Sequence, residues 1–207
     1  MWEQSVRRYA WADLGEADEL QALTVSVVGG RTEDDVIRAF GGDPVAALRM
    51  TTAEALEVAC QHYPSDYALL QTMHTGDRIV ALESGSRGRV AEVARRASSF
   101  SGEFFSIHWD VEGYLQVMHA AGGQITGVLE DPSWIEDASF MDDAPEIPVW
   151  AEGAPFTLET AHSVSFALME RLTGVAFDPA WFNIPLRTVH LAPSESLFPD
   201  LDAAFRY

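Results

Sequence analysis

The chain has a single cysteine, Cys60, among 207 residues. That excludes an internal disulfide framework and every multi-cysteine zinc or iron–sulfur site within the chain. No run of 18 apolar residues occurs, so no membrane-spanning helix is expected. The start, "MWEQSVRRYAWADLGEADEL", lacks an apolar h-region. No secretory leader is expected there, and a cytoplasmic location is. Lysine is missing altogether: all 13 basic residues are Arg. They are outnumbered by 32 Asp and Glu, and the net charge of −19 repels nucleic acid and anionic membranes while attracting basic partners. Nor is there any basic side chain between Arg96 and Arg171, although 13 carboxylates fall in that interval. This asymmetry is the strongest compositional signal.

Chemical signatures are equally scarce. There is no GxxxxGK[ST], no GxSxG and no HExxH. "GSRGRV" at 85–90 is too short and too basic for a dinucleotide fingerprint. No metal and no cofactor is expected. His62 and His162 read as polar surface or satisfied core residues, and Cys60 reads as a small core residue on a helix face.

What is present is 47% apolar content and a chain long enough to bury a core. "LQALTVSVVGG" alternates as a strand, ended by Gly29 and Gly30. Thr32 and Thr51 should cap helices, the second as a capping box with Glu54. Leu56, Ala59, Cys60 and Tyr63 then share one face. "YALLQTMH" and "RIVALES" read as strands joined at Gly76–Asp77. Ser86 should open a helix to residue 98 whose outer face carries Arg87, Arg89, Arg95 and Arg96. "GEFFSIHWDVEGYLQVMHAAGGQITGVLEDP" reads as a three-stranded meander turning at Glu112–Gly113 and Gly122–Gly123. Phe105, Ile107, Trp109 and Val111 would pack, and Ser106, His108, Asp110 and Glu112 would face water. Thr157 should cap a long helix ended by Gly174, and "LRTVHL" should be a last edge strand. The sum is one α+β domain over 1–207, with a central antiparallel sheet of five or six strands and helices mainly on one face. It would include a Pro- and acid-rich connection at 131–156 and a turn-like tail at 192–207.

Several of these segments carry a resemblance. "YAWADL", the strand–Gly–"RTEDDVIRAFGGDP" unit, "IHWDVEGYLQVMHAAGGQITGVLEDP" and "MERLTGVAFDPAWF" resemble a family of small, mainly actinobacterial proteins known only as a domain of unknown function. The resemblance covers most of residues 9–191. It implies no activity, and the chain departs from the pattern at 132–156.

Two surfaces stand out as candidates. "EDPSWIEDASFMDDAPEIPVWAEG", residues 130–153, holds eight carboxylates, two Trp and three Pro without a basic side chain. Trp134, Phe140 and Trp150 would be aromatic anchors, with Asp142, Asp143 and Glu146 as an acidic rim that steers a basic protein partner. That reading makes the chain a non-catalytic binding protein: an immunity-like inhibitor, an antitoxin or a regulatory adaptor. The alternative is an enzyme or small-ligand protein using His108, Asp110 and Glu112 on the polar face of the meander. A two-His metal site adding His119 is conceivable only if His119 shares that face.

Overall fold

The computed structural model describes residues 2–13, 22–62, 68–135 and 146–207. Its centre is an antiparallel sheet of eight strands, against the five or six expected. In chain order they are β1 (Leu23–Gly29), β2 (Leu48–Met50), β3 (Ala68–Thr75), β4 (Arg78–Glu83), β5 (Glu103–Trp109), β6 (Leu115–Ala121), β7 (Gln124–Glu130) and β8 (Leu186–Leu191). The spatial order is β2-β8-β3-β4-β1-β5-β6-β7. β8 is therefore not an edge strand: the three residues of β2, which no alternation announces, lie outside it.

Helices cover both faces of the sheet, not mainly one. On the first face, α5 (Ala161–Thr173) and α1 (Trp2–Arg8) close a core built on Val25, Val27, Phe105, Ile107 and Val117. On the second, α2 (Glu33–Ala39) and α4 (Ala91–Ala97) close a core with Val28, Phe104, Met118 and Ala120. α3 (Thr52–Gln61) leans on the first core through Leu56. Odd-numbered side chains of β1 and β5 thus enter one core and even-numbered ones the other.

Local chemistry explains most boundaries. Thr32 and Thr51 form capping boxes with Asp35 and Glu54. Asp178 accepts the N–H of Ala180 ahead of the 3₁₀ turn Pro179–Asn183. Thr157 does not cap the long helix, which starts only at Ala161. The segment expected as one helix over 86–98 is divided, with a 3₁₀ turn at Arg87–Arg89 and then α4. Cys60 is exposed rather than in the core, because α3 buries Thr52 and Ala55 and turns Cys60 outward. Tyr63 lies outside the described residues. The tail forms two four-residue helices, α6 (Ser194–Leu197) and α7 (Leu201–Ala204), docked by Phe198. Among the described residues no helix is long and apolar enough to cross a membrane.

Candidate functional site

The strand register places five polar side chains in one row across the second face. Glu83 on β4 faces Thr24 on β1, Thr24 faces His108 on β5, His108 faces Gln116 on β6, and Gln116 faces Glu130 on β7. The first four are buried, so this side of the meander is not the wet face the alternation suggested. The cover is the segment 84–90. Glu83 accepts the backbone N–H groups of Arg87 (2.6 Å) and Gly88 (2.9 Å). Ser106 donates to the Gly88 carbonyl at 2.8 Å. Backbone rather than side chains fills the space: a Cβ on Gly88 would lie 2.5 Å from Cγ2 of Thr24 and 2.8 Å from Oγ of Ser26.

His108 is 5% exposed. The Thr24 hydroxyl donates to the Gly85 carbonyl at 2.7 Å and lies 2.9 Å from Nδ1 of His108. One hydroxyl has one proton, so Nδ1 carries the hydrogen and donates to Thr24. Burial, then the nearby Arg89, pull the imidazole down to about 4 against the opposing effect of Asp110. At neutral pH it is an uncharged, tethered ring.

At the far end of the row, the Tyr207 hydroxyl meets Nε2 of Gln116 and lies 3.4 Å from Glu130. The Arg89 guanidinium lies 4.6 Å from the Tyr114 ring centroid and 5.8 Å from that of Phe205. Burial, followed by the charge of Glu130, pushes both Tyr114 and Tyr207 phenols up. Two buried polar atoms here, Nε of Arg89 and Oε1 of Gln116, have no partner among the described residues.

Asp110 and Glu112 do not join His108. Asp110 ties the β5–β6 connection by accepting the N–H groups of Glu112 (2.9 Å) and Tyr114 (3.1 Å), and Glu112 is exposed at the turn. His119 pairs with Phe105 and belongs to the first face, beside Trp150. A site using both His108 and His119 is therefore not assembled. No group of three potential metal ligands occurs among the described residues.

In the acidic stretch, Phe140, Asp142 and Asp143 lie outside the described residues. Trp134 and Trp150 are half-buried against the first core. Trp134 donates its indole N–H to the Glu130 carbonyl at 2.9 Å. Trp150 meets Phe105 edge-on, with centroids 6.1 Å apart. Glu146 is exposed. The apolar side chains turned to water are others, which the sequence reading passed over. Val149 and Leu158 are each 82% exposed, and Glu152 and Glu159 are exposed beside them in the chain.

The four arginines expected on one helical face are divided. Arg87 is buried, its guanidinium on the carbonyls of Phe40 and Ala192. Arg89 stacks on Tyr114. Arg96 holds Glu92 at 2.9 Å, and Arg95 donates to the Arg206 carbonyl at 2.6 Å.

No family model, curated protein or solved structure matches this chain.

Proposed function

We propose that this is a non-catalytic protein-binding protein that engages a basic partner through the acidic segment around 146–159, as an inhibitor, antitoxin or regulatory adaptor would. The observation that carries the reading is the exposure of Val149 and Leu158 in a segment whose charged neighbours Glu146, Glu152 and Glu159 are all acidic and exposed. Apolar anchors supply interface energy, and like-signed charges around them steer a complementary partner. Trp150, half-buried on the core in the same segment, then anchors the surface to the fold.

The test compares captures from the native lysate by the wild type and by a Val149→Asp/Leu158→Asp variant of unchanged melting temperature. The reading holds if the wild type retains a basic protein that the variant loses, and falls if the captured sets are the same.

A second reading rests on the two unpartnered atoms near Tyr207. A small polar ligand could satisfy Oε1 of Gln116 and Nε of Arg89, using His108 and Gln116 rather than Asp110 or Glu112. A small-molecule thermal-shift screen tests it, with Gln116→Leu as the comparison. A stabilising ligand that the variant ignores supports it, and no such ligand overturns it.

A further inference from the structure

Four arginines converge at one end of the second face. Arg31 follows β1, Arg38 closes α2, and Arg95 and Arg96 stand in the last turn of α4. With Phe100 and the Gly122–Gly123 turn they line an open groove of about 640 Å³. Asp35 and Glu92 also line it and Asp34 pairs with Arg38, so four guanidinium groups less three carboxylates leave a local charge of +1. The whole chain carries −19.

Three of these arginines are occupied. Arg96 and Arg95 have the partners given above, and Arg38 makes longer pairs of 3.7 Å with Asp34 and Asp35. Arg31 is held less tightly: its charge helps hold the Asp35 carboxyl below the ordinary range, and its Nε is buried with no hydrogen-bond partner among the described residues. Its guanidinium carbon lies 5.7 Å from the ring centroid of Phe100.

Phe100 is the second anomaly. Its φ of 63° is left-handed, and its side chain is 87% exposed. A bulky L-residue in that conformation costs on the order of 1 kcal/mol or more. A ring so exposed recovers little of this by burial. The backbone beneath is nonetheless firm: Gly123 donates to the Ser98 carbonyl at 2.9 Å, and Gly122 to the Gly102 carbonyl at 3.0 Å. The hydrogen-bonded backbone therefore presents an exposed aromatic ring beside an arginine whose Nε has no partner among the described residues, and folding alone gains little from that exposure.

We propose that this groove binds a small phosphate monoester bearing a planar ring, with the phosphate on Arg31 and its neighbouring guanidinium groups and the ring against Phe100. Guanidinium matches phosphate geometry, and an anion suits a groove that is locally positive on a chain of net charge −19. Aromatic stacking uses the exposed remainder of the Phe100 ring. The volume lies in the range of small-ligand sites, and the overall negative field disfavours a polyanion. The inference is independent of the acidic segment, so its failure leaves that reading untouched.

Calorimetry and phosphorus NMR on the full chain at low salt test it, using phenyl phosphate, inorganic phosphate and phenol as probes. Phenyl phosphate should saturate and bind at least about fivefold tighter than either of the others. Arg31→Ala should weaken it about tenfold or more. Phe100→Gly should bring it to the level of inorganic phosphate, with no loss of melting temperature because glycine relieves the left-handed backbone. Arg7→Ala, at an exposed site on α1, should change nothing. Three results each overturn the proposal: no saturable binding, inorganic phosphate binding as tightly as phenyl phosphate, or affinities unchanged within about twofold in both groove variants.

Discussion

One carboxylate oxygen of Asp13, Oδ1, accepts the backbone N–H groups of both His162 (3.1 Å) and Ser163 (3.0 Å). The first turn of α5 is thus capped by a residue some 150 positions earlier. Thr160, the local cap residue, makes no capping bond, and its hydroxyl meets that of Thr157 at 2.8 Å instead. The contact explains why the "YAWAD" segment matters to the fold. Tyr9 donates to Glu170 at 2.7 Å and Arg8 pairs with the same carboxylate, so the segment is fastened along α5 at both ends.

Removing that cap should be costly. Asp13→Ala is expected to lose about 1–2 kcal/mol, the usual worth of a helix cap. In a chain of this size that is about 2–8 °C in melting temperature. Asp13→Asn, which keeps an acceptor, should retain most of the stability. Thermal melts of the three proteins decide it: an unchanged Asp13→Ala melt would remove the long-range cap from the account.

His108 should impose a pH dependence on stability. Its folded pKa is about 4, below the unfolded 6.5. Above 6.5 both states hold it neutral and there is no penalty. As pH falls from 6.5 to 4, the unfolded chain binds a proton that the fold refuses, and stability declines; below 4 the loss is complete. The full difference amounts to about 3 kcal/mol. His162 is lowered mainly by burial and adds a slope of the same sign. Between pH 7.5 and 5.0, the wild type should lose about 2 kcal/mol more than His108→Gln. Urea midpoints at both pH values measure it, and parallel losses in the two proteins would sink the assignment.

The buried polar row also marks the limit of what sequence patterning could reveal. Strand alternation located β1 and β3 to β8, and a Gly–Asp and a Gly–Gly dipeptide located the Gly76–Asp77 and Gly122–Gly123 turns. Side-chain parity along β5 was correct as well, but the strand ends at Trp109, and Val111, expected to pack, is exposed. What it could not give is the fate of the polar parity. Ser106 and His108 read as solvated, yet both are buried: carbonyls of 84–90 accept from Ser106 and Thr24, and Thr24 in turn partners His108. Arg87 is hidden for the same reason, its guanidinium resting on main-chain carbonyls. A loop that meets a sheet through its backbone leaves no apolar signature. The same blindness turned a two-sided sheet into a one-sided expectation. Of the candidate site residues, the sequence pointed to His108 and Trp150, but it gave no reason to choose Val149 or Phe100, whose exposure depends on the tertiary arrangement.

Close backbone approach gives a sharp test at Gly88. A methyl group there would overlap Thr24 and Ser26 beneath it, in a region with no space to yield. Gly88→Ala is expected to cost about 1–3 kcal/mol and to loosen the cover over the polar row. Gly76→Ala is the contrast: nothing lies within 4 Å of its Cβ position, and only its φ of 61° is strained. Its cost should stay near 1 kcal/mol. Hydrogen exchange of the Gly88 amide, bonded to Glu83, should accelerate only in the first variant. Equal stability of the two would mean that the loop is not seated as described.

The last prediction separates support from contact in the acidic segment. Trp150 packs edge-on against Phe105, and its ring centroid lies 5.9 Å from that of His119, so Trp150→Ala opens a void beside the first core. Such a truncation costs about 3–5 kcal/mol when a Trp is fully buried. Trp150 is half-buried, and about 2–3 kcal/mol is expected here. Trp134, held by one hydrogen bond and partial burial, should cost less. Val149 and Leu158 face water, so replacing either with Asp should shift stability by no more than about 0.5 kcal/mol. If the segment is a partner surface, the order reverses for binding. The two Asp variants should speed dissociation, whereas Glu152→Gln and Glu159→Gln should mainly slow association, with an effect that shrinks as salt is raised. Melting curves and surface-binding kinetics on the same variants read the two columns separately. Val149→Asp and Leu158→Asp proteins that melt normally and dissociate from the captured partner at the wild-type rate would move the interface away from this segment.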